Sequence, residues 1–320
     1  MFHWDNGLFL TAAGLAVDVP RRHKRGFMSH AHADHIASHE MALCTPETAA
    51  LYRHRRGTRN RVLEMPYREP IEFGPLRLTT YPAGHCLGSA MLLAEDGKRS
   101  LLFTGDYKLG PSATSEPAEL PHADILVMES TFGTPKYQLP PREEVIGELI
   151  ALVQSTLAAE RTPVIHAYAL GKSQEVTKLL TAAGIPVLQH PTIFAVSEVY
   201  ADCGMDLGQV TKYSDSVLPG HAVVTLPRGM KGFRLAGLKD PVSIAVTGWA
   251  IDSSTKYRQK VEFALPLSDH ADFNQLLETV EQVGADAIYC THGPREFVEH
   301  LRVRGFTAFP ISGHYQTRMF

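Results

Sequence analysis

The chain has 320 residues, 44% of them hydrophobic and 20% charged, which is the composition of an ordinary globular protein long enough for one large domain or for a domain carrying an inserted second one. No apolar run reaches the roughly 18 residues a membrane helix needs, and Met1-Phe2-His3-Trp4-Asp5 lacks the basic-then-apolar pattern of a signal peptide, so a cytoplasmic protein without a membrane span is expected. A net charge of −3 supplies no global attraction for nucleic acid, so any polyanion must be held by a local basic surface.

In chain order, Leu8–Leu10 and Leu15–Val19 read as short strands, with Asp18 and turn residues closing the second, and Gly26–Met28 runs into a histidine cluster. Thr45-Pro46-Glu47 is a helix start, a hydroxyl cap followed by proline at the first helical position, and Gly57 is placed to end that helix. Leu76–Tyr81, Met91–Leu93 and Ser100–Phe103 alternate as sheet strands, and Ala123–Glu129 is a continuous apolar strand. Gly133-Thr134-Pro135 and Pro140-Pro141 then break the pattern before a long amphipathic helix from near Arg142. Strand Pro163–Tyr168, helix Lys172–Ala183 and strand Val187–Gln189 follow with the rhythm of a parallel β-α-β layer. Near the end, strand Phe263–Leu267 leads into Ser268-Asp269-His270, a helix spans Phe273–Val283, and strand Ala287–Cys290 ends at Thr291-His292-Gly293. The reading is an α/β protein in which residues 137–260 form an inserted α/β domain and residues 1–136 and 261–320 form the host.

The chemistry is concentrated in His30-Ala31-His32-Ala33-Asp34-His35. In an extended loop residues i and i+2 project to one side, so His30 and His32 can hold a single metal. Asp34 and His35 follow where the chain turns and can serve a second ion nearby. Neither cradle is complete with four residues. Small residues flank three further candidates at strand ends: His85 in Ala83-Gly84-His85, Asp106 in Thr104-Gly105-Asp106, and His292 in Thr291-His292-Gly293. Each alone reads equally well as a turn residue. An imidazole and carboxylate donor set suits two Zn2+, with Mn2+ an accepted substitute. The four cysteines, Cys44, Cys86, Cys203 and Cys290, form no C-x-x-C pair, so neither a disulfide framework nor a thiolate zinc site is expected.

The order H-x-H-x-D-H, Gly-His, T-G-D, E-S-T-F-G, S-D-H-A-D and T-H-G resembles the β-CASP branch of the metallo-β-lactamase superfamily over nearly the whole chain. Within it, Ala169-Leu170-Gly171-Lys172-Ser173-Gln174-Glu175, Thr247-Gly248-Trp249 and Leu267-Ser268-Asp269-His270-Ala271-Asp272 look most like the bacterial DNA ligase-associated exonucleases. The resemblance implies a four-layer αββα metallo-β-lactamase sandwich with an inserted β-CASP domain. It further implies that His30, His32 and His85 hold one zinc, that Asp34, His35 and His292 hold the other, and that Asp106 bridges them. Asp18 matches a structural aspartate. The implied activity is a nuclease, most simply a DNA exonuclease of repair, in which a dinuclear zinc-activated hydroxide attacks phosphorus. His270, oriented by Glu129, would contact the phosphate or protonate the leaving oxygen, and these two are counted with Asp34 as catalytic. Single-stranded DNA or RNA is the expected polymer, and a DNA ligase or helicase the family's implied partner.

Gly171-Lys172-Ser173 has the tail of a nucleotide-binding loop, but His166 stands where G-x-x-x-x-G-K-S requires glycine, so an ATP loop is not indicated. What remains is a cation at a helix N-terminus, and Lys172, Ser173 and Lys108 are the candidate substrate contacts, with Arg21 and Arg22 as further cations. Residues 1–61 also hold nine Lys/Arg against five Asp/Glu, clustered at Arg21-Arg22-His23-Lys24-Arg25 and at Arg53-His54-Arg55-Arg56 with Arg59 and Arg61. That cluster is either a polyanion surface or simply a solvated face. The competing readings are an RNA-processing nuclease of the same family and a small-molecule hydrolase of the same fold. A flavodiiron-type redox protein is disfavoured by His32, and a catalytically dead binding or scaffold protein by the intact ligand positions.

Overall fold

A computed structural model describes residues 1–214, 219–228 and 235–311 and shows a mixed α/β chain in two compact units, Met1–Gln138 with the chain from His270 onward, and Leu139–Asp269. The first unit holds two sheets. One runs β1 (Phe2–Trp4), β2 (Leu8–Leu10), β3 (Leu15–Val17), β4 (Arg25–Phe27), β5 (Met41–Cys44) and β6 (Arg61–Glu64) in spatial order. Asp18, next in the chain after β3, takes φ 49°, a left-handed conformation that aspartate tolerates better than most residues, and this turns the chain out of the sheet. Helix α1 (Pro46–Arg56) leaves β5 with the Thr45 hydroxyl accepting the Thr48 N–H, as its sequence predicts.

The second sheet of this unit begins with β7 (Ile71–Phe73), β8 (Leu76–Pro82), β9 (Ala90–Glu95), β10 (Ser100–Phe103) and β11 (Ile125–Glu129), and is completed by β18 (Ala287–Thr291) and β19 (Ala308–Pro310) after the intervening unit. β7 to β10 are antiparallel hairpin neighbours, whereas β10, β11, β18 and β19 are parallel. Alternation along the strands divides the interior, among the described residues, into separate cores. Leu8, Leu15, Val17, Phe27 and Leu43 of the first sheet meet Leu78, Leu92, Leu101, Phe103 and Val127 of the second. Met91, Leu102, Leu126 and Met128 instead face Leu276, Val280, Phe297 and Leu301, which lie on α6 (Phe273–Val283) and α7 (Arg295–Val303). Met28, Ala42 and Cys44 pack with Ala49 and Tyr52 of α1.

The second unit is built on a six-stranded, wholly parallel sheet. Its strands are β12 (Thr162–His166), β13 (Val187–Gln189), β14 (Val210–Lys212), β15 (Ala222–Thr225), β16 (Pro241–Val246) and β17 (Phe263–Leu265), in the order β14-β13-β15-β12-β16-β17. Helices α2 (Arg142–Ala158), α3 (Lys172–Ala182) and α4 (Pro191–Asp202), with the short α5 (Thr255–Arg258), accompany it. α4 escapes the sequence reading although its start is conventional, with Pro191 in the first turn and His190 Nδ1 accepting the Thr192 N–H. β17 pairs with β16 from Ile244 to Val246, so it stands in this sheet, while the boundary read from sequence at 260 assigned it to the host. No helix among the described residues is long and apolar enough to cross a membrane.

One buried histidine of the first unit sets an acid limit on stability. His39 is buried, accepts the His23 N–H through Nδ1 and packs against Gly26, where a Cβ would lie 2.4 Å from the ring. Burial, with His23 beside it, pushes its pKa down to about 4. Above about pH 6.5 the ring is neutral in both folded and unfolded chains. Below that, the unfolded chain takes up a proton that the folded chain refuses until about pH 4, so stability falls across this window by at most about 1.4 kcal/mol per pH unit. Thermal unfolding at pH 7 and pH 5 is expected to show a smaller drop for His39→Asn than for wild type. Equal drops would assign the acid limit elsewhere.

Candidate metal centre

The site lies at the ends of β3, β4, β8, β10, β11 and β18, all in the first unit. Asp18 receives the Ser29 N–H at 2.7 Å, the Ser29 hydroxyl, and the His35 Nδ1–H at 2.7 Å. Because the Ser29 hydroxyl donates to Asp18, the 2.9 Å contact between Ser29 Oγ and His30 Nδ1 has the imidazole as donor. Asp18 thus fixes both rings, directly and through Ser29, so that Nε2 of His30 and of His35 is turned away from the support. This carboxylate-to-histidine support is what metal-ligating imidazoles commonly have.

Three ring nitrogens converge in front of these supports. His32 Nδ1 lies 2.9 Å from His30 Nε2 and 3.1 Å from His85 Nε2, and Asp106 Oδ2 is 3.6 Å from His30 Nε2. Donor atoms of His30, His32, His85 and Asp106 all fall within 4.8 Å of one another. A tetrahedral ion with bonds of about 2.0–2.1 Å requires donors about 3.3–3.4 Å apart. The four therefore fit a zinc-sized cation in both spacing and chemistry.

The second cluster is more open. His35 Nε2 stands 3.4 Å from the same Asp106 oxygen and 3.7 Å from Asp34 Oδ2, whose side chain is 65% exposed. His292 is exposed, takes φ 50°, and its ring lies 5.8 Å from that of His35, tilted by 49°. Among the described residues no three-donor group within 4.8 Å includes Asp34 or His292. All seven sequence-derived positions therefore gather in one region, four of them tightly, with Asp106 Oδ2 within 3.4–3.6 Å of both clusters.

The electrostatics follow from burial and crowding. Burial, with His35, His32 and His85 close by, holds His30 well below the usual histidine pKa. Burial acts in the same direction on His35, but the carboxylates of Asp106 and Asp18 outweigh it and raise its pKa. Burial would raise Asp106, yet the imidazoles of His35 and His270 hold it well below the usual carboxylate range. Two glycines make the approach possible. A Cβ on Gly105 (φ 56°) would lie 2.5 Å from the Ser29 side chain, and one on Gly293 would lie 2.0 Å from the Ser130 carbonyl. Delivery of Asp106 and His292 depends on chain passing where no side chain fits.

Beside the clusters, Glu129 is buried at the end of β11 and accepts three donors. These are the Tyr107 N–H at 2.9 Å, the Thr131 hydroxyl, and His270 Nδ1–H at 2.9 and 3.0 Å. His270 lies with its ring 4.8 Å from that of His85. With Nδ1 committed to Glu129, proton exchange with a bound molecule would run through Nε2.

Three sequence-derived substrate contacts are buried and bonded within the protein. Lys172 is 1% exposed, its ammonium 3.0 Å from Glu175 and 3.8 Å from Asp269, while Arg142 pairs with Glu175 as well. Ser173 donates to the Tyr168 carbonyl at 2.6 Å, and Lys108, 4% exposed, donates to that of Pro111 at 2.8 Å. A buried cation needs such partners, and all three side chains are engaged within the protein. Conversely, Ser29, Thr131 and the Tyr107 N–H escape the sequence reading, because a serine or threonine at a strand end reads only as a turn residue.

Asp18→Asn keeps the shape but removes the acceptor for His35 Nδ1–H. It is expected to weaken metal binding by roughly 10–100-fold, measured by competition with a chromophoric chelator; unchanged affinity would reduce Asp18 to a fold residue.

No family model matches the chain. It is 36% identical to a protein of Opitutus terrae named "Probable DNA ligase", over 99% of this chain and 32% of that protein. It is 28% identical to "5' exonuclease Apollo" of Gallus gallus, over 86% of this chain and 61% of that one. Over 41% of its length it is 32% identical to "RNase aCSPSF2" of Saccharolobus solfataricus, covering 27% of that protein. The chain thus spans less than two thirds of each of these relatives.

Proposed function

Because the chain belongs to the β-CASP branch of the metallo-β-lactamase superfamily, whose named relatives here include an exonuclease and an RNase, we propose that it is a metal-dependent nuclease, and specifically a DNA exonuclease. The observation that carries the proposal is the pairing of a converged His30–His32–His85–Asp106 donor set with the Glu129–His270 dyad beside it. DNA is favoured over RNA by coverage. The relatives named for DNA ligase and for a 5' exonuclease match 99% and 86% of this chain, whereas the RNase matches 41%. The match to a third of a protein named DNA ligase further supports a ligase acting on the same DNA. For the first unit, the helix-sheet, sheet-sheet and sheet-helix cores support a four-layer αββα sandwich, with the second unit as its insertion.

Under this proposal His30, His32, His85 and Asp106 would hold one divalent cation, and Asp106 with Asp34, His35 and His292 a second, Zn2+ by the donor chemistry with Mn2+ tolerated. Such a pair, when bound, supplies an acidified water and neutralises charge on a phosphodiester. The protein's own residues supply orientation and protons. Asp18 and Ser29 fix the His30 and His35 rings, and Glu129 fixes His270 with Nε2 toward the reacting group. His270 hydrogen-bonds a phosphoryl oxygen or protonates the leaving oxygen, and Glu129 stabilises the cationic ring it becomes when it takes a proton up again.

The test is cleavage of sequence-matched DNA and RNA, single- and double-stranded, each labelled at either end in turn. Release of short products from one DNA end supports the proposal. Internal cuts in RNA with DNA left whole would favour the RNA-processing reading, and no cleavage of any polymer would overturn both.

A further inference from the structure

Helix α1 ends in a concentration of positive charge. Arg53, His54, Arg55 and Arg56 fill its last turn and Arg59 and Arg61 follow, while no Asp or Glu lies between Glu47 and Glu64. Among the described residues, the only carboxylate ion-paired with any of these arginines is Glu64, which bonds Arg53 at 2.8 Å. Arg55, Arg56, Arg59 and Arg61 are exposed. In a protein of net charge −3, this is a local island of the opposite sign.

The island is attached to the candidate metal centre. Tyr52, Arg55 and Arg56 stand at i, i+3 and i+4, one face of the helix, and each donates to a carbonyl of the ligand loop. Tyr52 Oη bonds the Ala37 carbonyl at 2.9 Å, Arg55 Nη1 that of Ala31, and Arg56 Nη2 that of Ile36 at 3.3 Å. Ala31 lies between His30 and His32. These bonds engage one nitrogen of each guanidinium, and arginine carries five N–H donors suited to phosphate. The charge thus begins at Arg55 and Arg56, which bond the ligand loop, and continues along the chain to Arg59 and to Arg61 at the start of β6.

We propose that this run of arginines is the track for the phosphate backbone of the substrate strand, Arg55 and Arg56 gripping phosphates beside the scissile bond and Arg59 and Arg61 phosphates beyond it. The proposal rests on the nuclease reading above and adds where the polymer is held. It replaces Lys172 and Lys108 as the polymer's cationic contacts with residues that face solvent.

The experiment is the salt dependence of binding of a fluorescein-labelled single-stranded 20-mer DNA, in chelator so that nothing is cut. Arg59→Gln/Arg61→Gln is the informative variant, since neither residue bonds the ligand loop. Losing two phosphate contacts should lower the slope of log K against log salt by about 1.4, at roughly 0.7 per contact for a single strand. A charge-matched control is Lys98→Gln/Arg99→Gln, in the turn between β9 and β10, at the ends of those strands away from His85 and Asp106. It should leave the slope alone. Wild-type slope in Arg59→Gln/Arg61→Gln, or an equal fall in the control, would overturn the track while leaving the nuclease reading standing. A wild-type protein that neither binds nor cuts nucleic acid would bring down both.

Discussion

Asp106→Asn is expected to lower nuclease turnover by about three orders of magnitude with the fold intact. Its Oδ2 stands close to both clusters, 3.6 Å from His30 Nε2 and 3.4 Å from His35 Nε2. The amide keeps the shape but loses the negative charge that two cations would share. Metal-assisted charge stabilisation is worth several kcal/mol, and about 1.4 kcal/mol corresponds to a factor of ten, which gives the stated magnitude. Turnover on labelled DNA, metal content and thermal unfolding should be measured together. A variant with full metal content and more than a tenth of wild-type turnover would remove Asp106 from the shared position.

The second large effect is expected at the Glu129–His270 dyad. His270→Ala should cost about 10²–10⁴ in turnover, the usual range for a positioned acid or base. Glu129→Gln should cost less, since an amide oxygen can still accept one of the three donors now directed at the carboxylate. A DNA ester with a p-nitrophenolate leaving group needs no protonation and should be cleaved by the variant at near wild-type rate. Equal losses on both substrates would make His270 a phosphate contact rather than a proton donor.

How much of this was legible in the sequence depended on chain distance. His30, His32, Asp34 and His35 lie within six residues, so local geometry alone announced a metal site. His85, Asp106 and His292 are ordinary strand-end residues until a family pattern groups them. The supports could not be read because each joins distant segments: Ser29 to Asp18 across 11 residues, Tyr107 to Glu129 across 22, and Arg55 to Ala31 across 24. The burial of Lys172 was hidden for a related reason. A cation at a helix N-terminus looks open in sequence, and only tertiary packing brings Arg142 and Asp269 to the Glu175 and Lys172 pair that encloses it. In the fold, strands such as β8, β10 and β11 and helices α1, α2, α3 and α6 were legible, whereas β16, α4 and α7 were missed, and three-residue strands such as β1 and β7 are too short to display a period. β17 was read as a strand, but sequence could not say which sheet it would join.

The claim on which the rest depends is that the two clusters around Asp106 hold a pair of catalytic cations. Elemental analysis of protein purified without chelator, paired with DNA cleavage before and after chelation, tests it most directly. The expected result is about two zinc or manganese ions per chain, cleavage lost on chelation and restored by adding Zn2+ or Mn2+. Protein that carries no such ions, and gains no cleavage when they are supplied, would contradict it.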